Sequence, residues 1–139
     1  MRRSLACAFL FLVTPLFAGR AATYVLNKGD ITQTLVMKRE TAQSVSFSFV
    51  SECKKEKCKD SLGGMATQDP FRHPTGKDYK GSFAAEEYLY EKGKCRVIFR
   101  VDMESASMVK VLASACPEHK KKKCPLEIDG ILRLQRNKR

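Results

Sequence analysis

The sequence predicts a mainly β fold, a small antiparallel β-barrel or sandwich stapled by disulfides. Short runs alternate apolar with polar residues, charged or glycine-bearing turns separate them at about ten-residue spacing, and cysteines recur along a chain with an export signal.

In chain order, Ile31-Thr-Gln-Thr-Leu-Val-Met37 mixes β-branched and apolar residues as a strand does. The polar link Lys38–Gln43 suits a hairpin loop leading into Ser44-Val-Ser-Phe-Ser-Phe-Val50. There Val45, Phe47 and Phe49 share one face and Ser44, Ser46 and Ser48 the other, the period of a half-buried sheet. Asp69–Asp78 holds two prolines and a glycine and reads as a long irregular loop. Ser82–Tyr90 has the propensity of a short helix, but the alternating Tyr88 and Tyr90 favour strand in its second half. Cys95–Val101 alternates again, with Cys95, Val97, Phe99 and Val101 inward and Arg96 and Arg100 outward. A turn at Asp102–Ser105 precedes Ser107–Ala113, which places Val109 and Val111 on one face. Leu126–Leu134 closes the sheet, with Gly130 as a bulge or bend.

The amino terminus sets the compartment. Met1-Arg2-Arg3 is a positive n-region, Leu5–Phe17 an apolar h-region, and Gly19-Arg20-Ala21 a small-residue cleavage site. The apolar run is interrupted by Pro15 and is short for roughly 30 Å of hydrocarbon, so no transmembrane span is expected. Residues 1–21 read as a signal peptide. Residues 22–139 then form a single secreted or periplasmic β-domain with a basic C-terminal tail. Losing Arg2, Arg3 and Arg20 leaves 23 basic against 15 acidic side chains, a formal +8. That balance points to an anionic envelope component, such as lipopolysaccharide or phospholipid headgroups, or to an acidic protein. Nucleic acid is less favoured: the chain has no tryptophan and few tyrosines for base stacking.

Five cysteines remain after processing. Cys53 and Cys58 flank a short loop, and Cys95 and Cys116 lie at ends of strands that a hairpin would join, so these two pairs are the expected disulfides, with Cys124 left over. Cys116–Cys124 is the rival closure. A zinc site is the less favoured reading, because these spacings fit ribbons and fingers badly, and no cofactor is expected.

Catalytic candidates are few. His73 and His119 could serve a ribonuclease-like acid–base mechanism, but both fall in polar loops. Ser51, Ser61 and Ser82 lack a nucleophile elbow, and Glu86 and Glu87 would face opposite sides of a strand. A non-enzymatic role is expected. The stronger signal is basic: Lys54, Lys55 and Lys57 beside the first cysteine pair, Lys120, Lys121, Lys122 and Lys123 between Cys116 and Cys124, and Arg133 and Arg136 near the end. Lysines on a constrained loop bind an anion with less ordering cost than lysines on a floppy arm.

Several features from Leu62 onward are Gly63-Gly-Met-Ala66, Tyr88–Tyr90, Cys95-Arg-Val-Ile-Phe99, Val109-Lys-Val111 ahead of Cys116, and Asp129-Gly-Ile-Leu-Arg133. Together they resemble small exported bacterial β-domains, including the periplasmic and membrane-bound inhibitors of C-type lysozyme. The resemblance implies a β-barrel with a cysteine opening one strand tied to a cysteine after the next. It also implies a Ser-Gly loop and a Lys-Gly loop entering the lysozyme cleft. Ser61-Leu-Gly63 interrupts the first, and Lys92-Gly93 is a two-residue match to the second. Lysozyme is itself basic, so a +8 inhibitor meets repulsion. The expectation is therefore a secreted or periplasmic binding protein for an anionic surface or host protein, in a virulence or envelope-defence role. A ribonuclease-like hydrolase and a lysozyme inhibitor stand as the alternatives.

The mature chain is expected to begin at Ala22. N-terminal sequencing of exported protein checks this, and a sequence starting at Met1 refutes it.

Overall fold

Strands that are neighbours in sequence are neighbours in space, and the last returns to the first. The computed structural model describes residues 20–68, 85–114, 116 and 130–136. Its strands are β1 (Ala21–Lys28), β2 (Ile31–Arg39), β3 (Ser44–Cys53), β4 (Cys58–Gln68), β5 (Ala85–Lys92), β6 (Cys95–Asp102), β7 (Met108–Ser114) and β8 (Leu132–Leu134). They form a closed eight-stranded antiparallel barrel in sequential order. Closure removes the unpaired edges of an open sheet.

Alternation decides which side chains enter. Tyr24, Leu35 and Phe49 lie opposite one another across β1, β2 and β3, and Tyr88, Phe99 and Val111 do so across β5, β6 and β7. All six are buried. An eight-stranded barrel encloses just enough room for side chains, and here aromatic and aliphatic groups fill it. Phe47 is central: its ring centroid lies 5.1 Å from that of Tyr90, edge-on, and 4.6 Å from that of Phe99. These contacts join β3 to β5 and β6 through the interior.

Two seams in the wall are thin. β4 meets β5 through Thr67–Leu89 and Gln68–Tyr88 alone, whereas β3 and β4 pair along their whole length. β8 is three residues long and meets β1 through Tyr24–Leu134 and Val25–Arg133. Packing inside the barrel must therefore do at the seams what backbone ladders do elsewhere. Gly64 serves that packing, since a Cβ there would sit 2.7 Å from the Tyr90 ring. Gly29 and Gly93 each open a two-residue turn with φ near +60°, the conformation a tight hairpin needs at that position.

The expected strands 31–37, 44–50, 95–101 and 107–113 are all present, with Val45, Phe47, Phe49, Val97, Phe99, Val101, Val109 and Val111 buried as alternation requires. The second half of 82–90 is strand, and Gly130 lies in a bend. β1 and β4 were not marked by the expected strands. Arg100 departs from expectation: it stands on the outer wall, yet is 1 % exposed and pairs with Glu87 at 3.1 Å. The proposed loop 69–78 and the region 117–129 lie outside the described residues.

The cysteine pairing is half as expected. Cys95 is bonded to Cys116, closing the β6–β7 hairpin. The expected Cys53–Cys58 bond is not made, although the two residues face each other across the β3–β4 ladder. Cys53 is a free, buried thiol, and the Cys58 sulfur is already committed to another disulfide. Its partner lies outside the described residues.

Phe47→Ala is expected to cost about 3–5 kcal/mol, the usual loss for a buried phenylalanine. A denaturant midpoint close to that of the parent would show that the two halves do not depend on this ring.

Candidate functional site

In a sequential barrel alternate turns gather at the same end. The β1–β2, β3–β4 and β5–β6 turns share one end, and the β2–β3 and β6–β7 turns share the other. With the interior filled, chemistry directed at a partner falls to the ends and the outer wall.

The first end is basic. Lys28 and Asp30 come from the β1–β2 hairpin, Lys54, Lys55, Glu56, Lys57 and Lys59 from the β3–β4 hairpin, and Lys92 and Lys94 from the β5–β6 hairpin, all of them exposed. The first two tips are fastened together, since the Lys54 backbone N–H donates to the Asp30 carbonyl at 3.0 Å. The β3–β4 tip is closed on itself by Lys57 N–H donating to the Lys54 carbonyl at 3.4 Å, with Lys57 in a left-handed conformation, φ 52°. Such a conformation costs a non-glycine residue about 1 kcal/mol or more, so the loop shape is imposed by its surroundings. Two acidic groups near this end are engaged locally: Glu52 with Lys59 at 3.3 Å and Glu91 with Arg96 at 3.5 Å. β7 also ends here, where Cys116 is tied to Cys95 at the start of β6.

The opposite end carries both signs, largely satisfied among themselves. Arg39 and Glu86 face the barrel mouth 3.6 Å apart. The Tyr88 hydroxyl sits between them, accepting from Arg39 at 3.0 Å and donating to Glu86 at 2.9 Å. Ser46 donates to Glu40 at 2.7 Å. In the β6–β7 turn the Asp102 carboxylate accepts from the Ser105 hydroxyl at 2.7 Å and the Glu104 N–H at 3.0 Å. The Ser105 hydrogen bond is the main force holding Asp102 below the usual carboxylate range. Ala106 completes the turn at φ 49°, its carbonyl accepting from the buried Tyr24 hydroxyl at 2.7 Å. Burial foremost raises both tyrosines, with the nearby Tyr88 and Asp102 charges adding for Tyr24 and the Glu86 hydrogen bond adding for Tyr88, which reaches about 12.

Of the residues the sequence singled out, Lys54, Lys55 and Lys57 occupy the basic end. Arg133 lies exposed on β8, opposite Val25 and Met108, and Arg136 follows β8 at the other end of the barrel, so the structure separates them from the lysine tip. Lys120–Lys123, His73 and His119 lie outside the described residues. Lys28, Lys92 and Lys94 were missed, because only the connectivity of the barrel brings them beside the β3–β4 tip. Ser61-Leu-Gly63 lies within β4 and Lys92-Gly93 at the β5–β6 turn.

Among the described residues no three His, Cys, Asp or Glu side chains are grouped to hold a metal ion, and no helix is long and apolar enough to cross a membrane. Comparison with protein-family models, with curated proteins and with solved structures gives no match.

The tyrosines predict an alkaline limb. An unfolded chain loses the tyrosine proton near pH 10, while Tyr88 in the barrel keeps it to about 12. Rising pH therefore favours the unfolded state across that interval. Denaturation series from pH 9 upward should show stability falling between about 10 and 12, and less steeply in Tyr88→Phe. Identical slopes in the two proteins would refute the assignment.

Proposed function

We propose that this chain is an exported binding protein that engages an anionic surface through the lysine-bearing turns at one end of its barrel. The observation that supports this most is the collection of Lys28, Lys54, Lys55, Lys57, Lys92 and Lys94 on three adjoining hairpins, against Asp30 and Glu56 as the acidic groups not already in a described ion pair with a neighbouring cation. Rigid tips lower the entropy lost when lysines meet an anion. Lysine presents a compact, well-hydrated charge, suited to a field of headgroups rather than to one bidentate ligand. The filled interior supports recognition by the outside of the barrel rather than carriage of a small molecule within it. An exported chain would meet lipopolysaccharide, anionic lipids and acidic proteins, where a virulence or envelope-defence role fits.

Vesicles containing anionic phospholipid provide the test. Each lysine near such a surface contributes about 1 kcal/mol, so replacing Lys54, Lys55 and Lys57 with serine should weaken binding roughly a hundredfold. The variant should also show a smaller loss between roughly 50 and 200 mM salt. Replacing Arg133 and Arg136 with serine should matter far less. Equal losses in the two variants, or none in the first, would overturn the localisation to this end.

A further inference from the structure

We infer that the open edge of β4 pairs with the same edge of a second copy of this chain, joining two barrels across a two-fold axis. Closure spares one stretch of the wall. β5 meets β4 at Thr67 and Gln68, and among the described residues no strand pairs with that side of residues 61–66. The Gln68 N–H donates to the Gln43 carbonyl at 2.7 Å, on the β3 side. Backbone groups alternate sides along a strand, so Gly63 and Met65, like Thr67, direct theirs away from β3. Thr67 has Leu89 opposite it, whereas Gly63 and Met65 have no described strand there. Both are exposed, Met65 at 49 %. On the same side the Ser61 N–H donates to the Asp60 carboxylate at 3.0 Å, a local bond in place of a cross-strand one.

A second copy fits this edge better than a charged strand does. Natural edges are guarded by lysine, proline or a bulge, yet Ser61-Leu-Gly-Gly-Met-Ala-Thr-Gln68 holds no charge and no proline. An acidic peptide would find no cation along that stretch, and an identical edge finds nothing to repel it. An antiparallel pairing centred on Gly64 sets Gly63 of each copy against Met65 of the other, and such a pair exchanges both N–H···O bonds. Each Met65 side chain then lies beside a residue that has none. The same two-fold sends the lysine-bearing β3–β4 tips to opposite ends of the joined sheet, which keeps the basic ends apart. So short an edge falls below the standard size of stable interfaces and sets a weak dimer, on the order of 100 µM. The edge acts apart from the lysine tips and does not depend on what they bind.

Sedimentation of the full chain, purified without reductant, from about 1 µM to 1 mM gives the test. A reversible dimer should appear as concentration rises. Raising salt from roughly 50 to 500 mM should strengthen it, because screening relieves repulsion between two basic molecules. Binding to an anion responds to salt with the opposite sign. Met65→Lys sets like charges across the seam, and Met65→Pro removes the outward N–H, so each should weaken association roughly tenfold or more. Met103→Lys, at the other exposed methionine, should leave it unchanged. A melting curve like the parent's for either Met65 variant separates lost pairing from lost fold. A monomer at about 1 mM in high salt overturns the inference. So does a dimer that both Met65 variants leave intact, that Met103→Lys weakens equally, or that persists on a non-reducing denaturing gel. Slow hydrogen exchange at the Gly63 and Met65 amides of the dilute monomer also overturns it, since the edge would then be taken within the chain.

Discussion

The contact between Phe47 and the rings of Tyr90 and Phe99 is the constraint on which the rest of this barrel depends. The wall is continuous but uneven: long ladders hold β1 to β4 together and β5 to β7 together, while β4–β5 and β8 supply short seams. Hydrogen bonds that few cannot by themselves align two halves, because each contributes only about 1 kcal/mol net. Aromatic packing through the middle fixes the distance between the halves, and the seams close at that distance. Gly64 belongs to the same constraint, since any side chain there would push Tyr90 off its place against Phe47.

A filled barrel has little use for its inside beyond stability, so its connectivity becomes its functional vocabulary. Sequential strands send alternate turns to alternate ends, and a sequence that writes lysine into the first, third and fifth connections builds a charged end without any long-range design. The other end follows a different logic. There Arg39, Glu86 and Tyr88 satisfy one another at the mouth, and Asp102 organises a turn tight enough to hold Ala106 at positive φ. One end spends its polar groups on structure, while the other presents exposed lysines on three hairpin tips.

Strands with hard alternation were legible in the sequence. Ser44–Val50 and Cys95–Val101 could be assigned, with their buried faces, from periodicity alone. β4 was not, because Cys58-Lys-Asp-Ser-Leu-Gly-Gly-Met places few apolar side chains inward and two glycines where strands avoid them; the structure accepts Gly64 to make room for the Tyr90 ring of β5. β1 begins where the apolar amino-terminal run ends, and its Ala22, Tyr24 and Leu26 alternation is visible only once that run is set apart. Arg100 shows the limit of parity, which gives the side of the sheet but not whether that side is covered. The Cys53–Cys58 expectation failed for a related reason: spacing and facing were right, but spacing cannot show that one sulfur is already spoken for. For the candidate site, lysines adjacent in sequence could be found in advance, and lysines adjacent only through the barrel could not.

Among the described residues charge is segregated along the barrel axis, which gives this part of the molecule an electric dipole. In a uniform solution this has no effect, but near an anionic sheet the field falls off over about 10 Å of saline, a distance comparable with the barrel itself. The lysine-bearing tips feel that field before the opposite end does, and the difference exerts a torque. The barrel would arrive already turned, so the orientation that a binding site normally selects by trial would be set during approach, and collisions in other poses would be rare.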